Sequence, residues 1–463
     1  NDSLVFQLTT ENQKIGGDPA GSSFSNNTDL VCQIPSFAGG AGGSEQCNRN
    51  LDEDLYTTFG NRPGLLEYDE DAVTLQVQYS LANFELVSIT GYRESEELVN
   101  TDFDATSIDF FTVRRAQQYK QFSQEVRLAG DFTKNISGVF GVYYFNNEYQ
   151  LDQDTNLGPI PSQTPSGLTI NALTDHQVDS YAVFADFDFS LAENWRLSVG
   201  GRYSNDEKTF SRTFLERLPR APFITQVNPK NNKDWSEVTP RLSLDYRPND
   251  NTLFYGSYSK GYRSGGFNGR ANSSFGVAAS FAPETVNSLE FGGKFAFVDG
   301  RVNLNVAVFS SNYNDKQEDI VVATSFPAIN PQETITLNVA SASIEGAEID
   351  FKAKVSANLT VTGSIGLLDA SYDQFQIDLN GNGTLEVGED ASTRDLRRAP
   401  DYTLSVAADY VVPLRNGDLG FNLRYSNIDD YQTTIVPQQS EFGRNDERGL
   451  HLSENDLSAS LTY

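Results

Sequence analysis

Apolar and polar residues alternate along most of this chain, in segments separated by gaps that are short, then long, then short again. Between 194 and 204 the odd positions hold Trp195, Leu197, Val199, Gly201 and Tyr203, and the even ones Arg196, Ser198, Gly200, Arg202 and Ser204. Period two gives a strand one apolar face and one wet face. The same register places Tyr181, Val183, Ala185, Phe187 and Phe189 opposite Asp186, Asp188 and Ser190. It places Val302, Leu304, Val306 and Val308 opposite Asn303 and Asn305. Ala347, Ile349, Phe351, Ala353 and Val355 oppose Glu348, Asp350, Lys352 and Lys354, and Tyr402, Leu404, Val406, Ala408 and Tyr410 oppose Thr403, Ser405 and Asp409. At 253–260 the adjacent bulk of Phe254 and Tyr255 leaves the faces open. Strands of ordinary soluble sheets are about 5–6 residues long. These reach about ten residues and beyond, the length of a tilted bilayer crossing.

Alternation predicts about sixteen strands, at 4–14, 70–82, 84–100, 114–132, 136–153, 177–191, 194–213, 235–248, 251–264, 283–298, 301–317, 336–356, 358–372, 399–413, 418–430 and 449–463. Tight links such as Ala192-Glu193-Asn194, Asp299-Gly300 and Arg415-Asn416-Gly417-Asp418 carry the Asn, Asp and Gly that hairpin turns use. Between them fall long links, near 15–69, 101–113, 154–176, 214–234, 265–282, 318–335, 373–398 and 431–448. Tight turns at one end and long loops at the other are the asymmetry of an outer-membrane barrel. The predicted fold is therefore all-β, an antiparallel transmembrane β-barrel with apolar residues toward lipid. A large soluble up-and-down β-protein would leave the alternation of loop lengths unexplained.

Composition agrees. The mean hydropathy of −0.44 is no obstacle, because only alternate strand residues of a barrel face lipid. Tyr and Phe, at 21 and 31 residues, far outnumber the 2 Trp, and Tyr suits the membrane interface. A net charge of −29 argues against nucleic acid and anionic lipid as partners, which require a basic surface. It fits acidic loops or, more loosely, divalent cations. No leader peptide opens the sequence, so either a leader has been removed or the sequence is a segment.

Three features bear on chemistry. Cys32 and Cys47 are the only cysteines and flank a Gly-rich stretch. In an exported chain they read as a disulfide, and closing a loop of about fifteen residues is worth roughly 3 kcal/mol in the chain-entropy model. Only two histidines exist, His176 and His451, and no nucleophile elbow, zinc helix or phosphate loop is present. No catalytic residue is assigned and the chain does not read as an enzyme; His176 reads as a solvated residue at a loop–strand junction. The third feature is Asp378-Leu-Asn380-Gly-Asn382-Gly383-Thr384-Leu385-Glu386-Val-Gly-Glu389. It matches a calcium-loop pattern, with oxygen ligands at alternate positions, Gly at the sharp turn and a bidentate Glu at the end. The candidate ligands are Asp378, Asn380, Asn382, Thr384, Glu386 and Glu389; the plainer reading is an Asn-Gly-rich turn. Structural calcium is the only cofactor the sequence suggests. The polar-face charges Asp186, Asp188, Arg196, Arg202, Asp245, Glu348, Asp350, Lys352, Lys354, Asp409 and Arg424 are of mixed sign and read as solvating the lumen and pairing with one another or with a plug.

The segment Trp235-Ser-Glu-Val-Thr239-Pro240-Arg241 leads to Tyr258-Ser-Lys260-Gly261-Tyr262-Arg263-Ser-Gly265-Gly266-Phe267-Asn268. With Glu284-Thr-Val-Asn-Ser-Leu289-Glu290-Phe-Gly292 and Ile344-Glu345-Gly346-Ala-Glu348, it resembles the barrel of TonB-dependent outer-membrane receptors, over nearly the whole chain. That resemblance implies about twenty-two strands around a plug, with TonB as partner through a box ahead of the plug and a ferric chelate or other scarce nutrient as cargo. Plug and box are not found here, and Asp456-Leu457-Ser-Ala459-Ser-Leu461-Thr-Tyr463 resembles the family's third-from-last strand. The expectation is a central barrel fragment in the outer membrane of a Gram-negative bacterium. A complete sixteen-stranded diffusion porin and a non-conducting surface binder are the alternatives.

Overall fold

The computed structural model describes residues 3–18, 62–102, 111–158, 167–217, 224–227, 230–269, 271, 274–323, 332–376, 390–433 and 450–463. The long strands follow one another as an antiparallel meander. They are β1 (Ser3–Gly17), β2 (Leu65–Leu81), β3 (Phe84–Asp102), β4 (Phe111–Thr133), β5 (Ile136–Leu157), β6 (Leu168–Ala192) and β7 (Trp195–Arg217). After the short β8 (Ile224–Val227) come β9 (Asn231–Asn249) and β10 (Thr252–Arg263). The two-residue β11 (Gly266–Phe267), the single-turn α1 (Ser274–Ala278) and β12 (Ser280–Phe281) precede β13 (Glu284–Phe297). The wall continues through β14 (Val302–Ala323), β15 (Gln332–Lys354), β16 (Leu359–Phe375), β17 (Tyr402–Leu414) and β18 (Gly417–Ile428). Short β19 (Tyr431–Gln432) and β20 (Leu450–His451) lead to β21 (Glu454–Thr462). Each of the sixteen predicted strands has its counterpart. The boundaries differ mainly at the long-loop end, where β5, β6, β14 and β15 run several residues past the alternation, and the last strand starts at Glu454 rather than 449.

β1 pairs with β2 from Ser3 to Gly17, and β21 pairs with β18 from Glu454 to Thr462. Every residue of β1 and of β21 is exposed.

The pairing register separates the faces as the alternation requires. Val199 lies between Phe187 and Leu242, and Ile349 between Val306 and Ile365. Asp350 instead faces Asn305 and Ser364. The open register at 253–260 is resolved by a bulge after Thr252. Phe254 pairs with Tyr246 and Gly293 on the apolar face, while the Tyr255 hydroxyl donates to Glu290 at 2.7 Å on the polar one.

The apolar face is bounded by aromatics at both levels. Near the tight turns, Trp195 stacks on Tyr246 at 4.4 Å, and Phe132 packs edge-on between Phe84 and Phe187. Farther up stand Tyr92, Tyr144, Tyr181, Tyr203, Tyr258 and Tyr425. Several donate their hydroxyl to the first polar residue above: Tyr92 to Glu94 at 3.0 Å, Tyr144 to Asp179 at 2.9 Å, Tyr258 to Asn287 at 2.9 Å and Tyr425 to Asn455 at 2.8 Å. A ring with a dry body and a hydrogen-bonded wet tip belongs at the lipid–water interface. Trp195 to Tyr203, Phe84 to Tyr92 and Phe189 to Tyr181 are each eight residues apart. That is about 26 Å along a strand, or about 20 Å along the membrane normal at a tilt of ~40°, close to the apolar band of such barrels.

A wall with lipid on one face and water on the other buries little. The one hydrophobic cluster among the described residues lies beyond the tyrosine level, on the polar face. It joins Ala172, Phe210 and Phe214 of β6 and β7 to Ile320, Ile335, Ala340, Ala342, Tyr372 and Phe375 of β14–β16. Ala271 and Val277, from the link between β10 and β13, are wholly buried between the two sets.

Candidate functional site

The motif quoted above forms a strap at this inner cluster. β9 and β10 pair only as far as Arg241 and Ser259. Beyond that level β9 stays on β7 and β10 stays on β13, so the two strands part. Motif side chains close the gap. Lys260 donates to Glu237 at 2.9 Å, and the Tyr262 hydroxyl donates to Asp206 at 3.2 Å.

The chain then crosses the polar face of β7, where every second side chain takes hold of it. Asp206 receives Tyr262, and Lys208 donates to the Gly265 carbonyl at 2.7 Å. Phe210 stacks on Phe267, and the Arg212 guanidinium donates to the Gly269 carbonyl. This contact requires glycine at its tightest point. A Cβ on Gly265 would lie 2.4 Å from the Phe281 carbonyl oxygen and 2.5 Å from the Trp235 ring. Gly266 is similarly closed off, 2.7 Å from the Phe281 ring. Trp235 packs edge-on to Phe267, with the Lys208 and Lys233 ammonium groups 5.8 and 5.5 Å from its ring centroid.

The far side of the strap is held by amides. Asn268, buried, donates to the Ala279 carbonyl at 3.4 Å and accepts the Thr336 N–H at 2.7 Å. Gln317 donates through its side chain to the carbonyls of Ser264 and Ala282, at 3.1 and 2.9 Å. Tyr258 lies below the strap, in the tyrosine level. Gly261 sits in β10, and Arg263 is exposed at its end.

Beside the strap Glu318 is fully buried. Its carboxylate accepts hydrogen bonds from Lys316, from the Tyr372 hydroxyl at 2.8 Å and from Arg397 at 2.5 Å. Burial, and then the Glu318 charge, push the Tyr372 hydroxyl above its usual range. Arg397 thereby anchors the segment 390–398, whose Ala391 and Leu396 enter the cluster. That segment also meets the end of β16, through a Gln376–Asp390 bridge and an Ala391 N–H to Phe375 carbonyl bond of 2.7 Å.

His176 corrects an expectation. It is no loop residue but lies within β6, opposite Tyr149 and Phe210, with its ring 6.2 Å from that of Phe210. Burial, and then the Lys208 charge, depress its pKa to about 4, so it is neutral at pH 7. Burial also lowers the Lys208 ammonium. Glu318, Gln317, Lys208 and Arg212 were not singled out from sequence. Their place in one alternating face of β7, and in a polar run at the end of β14, is the signal that was available.

Cys32 and Cys47 lie outside the described residues, as do Asp378, Asn380, Asn382, Thr384, Glu386 and Glu389. Of the charges assigned to the polar face, Arg196 pairs with Asp245 at 2.5 Å and Asp186 lies 4.0 Å from Arg241, while Asp409 accepts a hydrogen bond from the Asn422 amide at 2.7 Å.

The model of the TonB-dependent receptor-like β-barrel matches residues 6–460. Among curated proteins, the chain is 26% identical over 299 residues to the probable TonB-dependent siderophore receptor PiuA of Acinetobacter baumannii, covering 60% of this chain and 37% of that protein. It is 22% identical over 301 residues to the metal-pseudopaline receptor CntO of Pseudomonas aeruginosa, covering 60% and 39%. The match thus spans well under half the length of these relatives. Among solved structures, the ferric-catecholate import receptor Fiu of E. coli in its closed form superposes with a TM-score of 0.66 at 15% identity, over 99% of this chain and 65% of that one. The ferric yersiniabactin uptake receptor FyuA of Yersinia pestis gives 0.65 at 17%, over 86% and 54%. These structures share the fold, and the family-model match reaches through nearly all of the strands described above. The chain therefore belongs to the TonB-dependent receptor β-barrel family, whose members lie in the outer membrane of Gram-negative bacteria.

Proposed function

We propose that this barrel is the wall of an energised importer for a metal chelate, a ferric siderophore first among them. The carrying observation is the family match from residue 6 to 460, together with a strap built from the motif itself. Relatives named for siderophore and metal-pseudopaline reception support the cargo class. TonB is the coupling partner in this reading, acting through the plug that the family carries. Outer-membrane lipid is the partner of the apolar band.

The inward-folded strap, anchored to β7 and β15, also speaks against an unobstructed diffusion pore. Uptake of radiolabelled ferric chelates by the native cell provides the test. Deleting the gene for this chain should abolish uptake of one chelate and leave the others unchanged, and deleting the gene for TonB should abolish that same uptake. Unaltered uptake of every chelate in both strains, or conductance of the purified protein in planar bilayers without TonB, would overturn the reading.

A further inference from the structure

We propose that the outward face of β3–β6, above the tyrosine level, docks the saccharide headgroup of an outer-leaflet glycolipid. This surface points away from the lumen and from anything the barrel encloses, so the proposal stands whatever the cargo.

A hollow of about 890 Å³ runs across β1–β6 at this height. Its lining on β3–β6 carries the case, because each of these strands is paired on both sides. Their mutual register is unbroken from the tyrosines upward, so alternate residues keep to one face. Two outward rows result. Glu96, Gln118, Gln150 and Asp175 lie side by side in the first, and Leu98, Ala116, Asp152 and Leu173 in the second. They continue the face of Tyr92, Tyr144 and Tyr181, and so join the lipid-facing band below.

Depth selects the kind of headgroup. Glu96 stands four residues beyond Tyr92, and Asp175 six residues beyond Tyr181 toward the long-loop end. That is about 13–20 Å along the strands, or about 10–15 Å along the membrane normal at a tilt of ~40°. The polar layer of an ordinary bilayer is only about 5–8 Å thick on each side. A phospholipid headgroup at the tyrosine level falls short of the hollow, whereas a headgroup of several sugars reaches it.

The two rows differ in chemistry. The first is made of amides and carboxylates, which match the donors and acceptors of sugar hydroxyls. Gln118 donates to Glu96 at 3.1 Å, while Gln150 and Asp175 make no side-chain hydrogen bond or ion pair among the described residues. The second row sets Leu98, Ala116 and the exposed Leu173 beside them. Apolar side chains held outward above the lipid band have no acyl chain to meet, and they suit the C–H face of a pyranose ring. Arg114 is the one cation that these four strands bring to the hollow, and it lies 3.9 Å from Asp152 and 3.7 Å from Asp154. Glu96 and Asp175 have no cation partner among the described residues. This surplus of carboxylate repels phosphate and favours uncharged or amino-bearing sugars.

Native mass spectrometry of the protein, purified in detergent from its own outer membrane, counts the glycolipid it retains. The probes are the glycolipid of that membrane with its complete core oligosaccharide, and the same lipid trimmed to its lipid-proximal sugars. Occupancy by the complete form should be at least fivefold higher. Ala116→Trp, which fills the hollow, should remove that preference. Asp175→Ala, at an exposed and unbonded side chain, should lower occupancy at least threefold, and it decides the matter where circular dichroism shows Ala116→Trp unfolded. Asn312→Trp, on β14 outside the hollow, should change nothing. Equal retention of the two glycolipids, unchanged occupancy in Asp175→Ala, or an equal loss in Asn312→Trp would overturn the proposal. So would binding of the free core oligosaccharide as tight as that of the intact glycolipid, since the site would then serve a soluble sugar.

Discussion

Phe267 lies flat against Phe210, ring centroids 5.6 Å apart and planes 8° apart. One ring belongs to the wall and the other to the strap. The stack sits between two polar grips on the same strand face, Lys208 on Gly265 and Arg212 on Gly269. The period of β7 therefore becomes the period of the strap's attachment, and a segment that reads as an open loop is folded against its own barrel. Aromatic pairs of this geometry add about 0.5–1.5 kcal/mol beyond the area they bury.

Phe210→Ala should release the strap without unfolding the wall. Removing a buried Phe costs about 3–5 kcal/mol in a packed core, and here that loss falls on one local contact. Amide exchange over 264–282 should accelerate at least tenfold, with the membrane-spanning part of β7 unchanged. Equal acceleration across both regions would show that Phe210 supports the barrel as a whole.

Glu318→Ala should be more damaging than Glu318→Gln. The alanine leaves Lys316 and Arg397 facing a buried space without their counter-charge, and breaking a buried pair in this way costs about 3–5 kcal/mol. Glutamine keeps an acceptor for the Tyr372 hydroxyl. Limited proteolysis within 390–398 reads the anchor directly, with rapid cleavage expected in Glu318→Ala and intermediate cleavage in Glu318→Gln. Cleavage at the wild-type rate in both variants would show that the clamp does not hold this segment.

The wall was legible in the sequence because lipid imposes a strict period of two, and Val183, Val199, Ile349 and Val406 obey it. Strand ends were less legible. Above the tyrosine level both faces are wet, so alternation fades at residues such as Asp152 and Asn171 while the hydrogen-bonded ladder continues. The strap was recognised as a motif, but its shape was not foreseen. Its contacts pair residues more than fifty positions apart, such as Lys208 with Gly265, and no local pattern encodes them. Glu318 was hidden for a related reason, since its partners Tyr372 and Arg397 arrive from β16 and from the link that follows it.

His176 makes the strap's seat sensitive to acid. Its pKa in the fold, about 4, is below the ordinary imidazole value of 6.5, so the unfolded or opened state binds the extra proton more readily. The stabilisation is fully present above pH ~6.5 and is lost as the pH falls through the folded value. Trp235 is a built-in reporter, because the chain has 2 Trp and Trp195→Phe removes the other. Its emission should hold steady from pH 8 to 6.5 and shift between 6.5 and 4. His176→Phe keeps a ring against Phe210 and should flatten that response. A transition that survives in His176→Phe would assign the effect to carboxylates nearby.

The acidic segment 378–389 is proposed to bind calcium. Its pattern places Asp378, Asn380, Asn382, Thr384 through its carbonyl, Glu386 and Glu389 as oxygen donors, with Gly383 at the turn. Calcium loops of this type are usually held by helices, and among the described residues no helix flanks this one. Two described contacts do bring its flanks together: the Gln376–Asp390 bridge, and the 2.7 Å bond from the Ala391 N–H to the Phe375 carbonyl. The second flank is fastened in turn by Arg397 on Glu318. A pinned neck limits the chain entropy that a metal must remove on binding. Calorimetric titration of the whole protein should show one site, which at an extracellular loop can be as weak as about 10⁻⁴–10⁻³ M. Glu389→Ala removes the bidentate ligand and should abolish the heat. Glu318→Ala frees the neck and should weaken binding several-fold with all six ligands intact. Absence of heat at millimolar calcium in the wild type would remove the site, and unchanged affinity in Glu318→Ala would remove the role given to the neck.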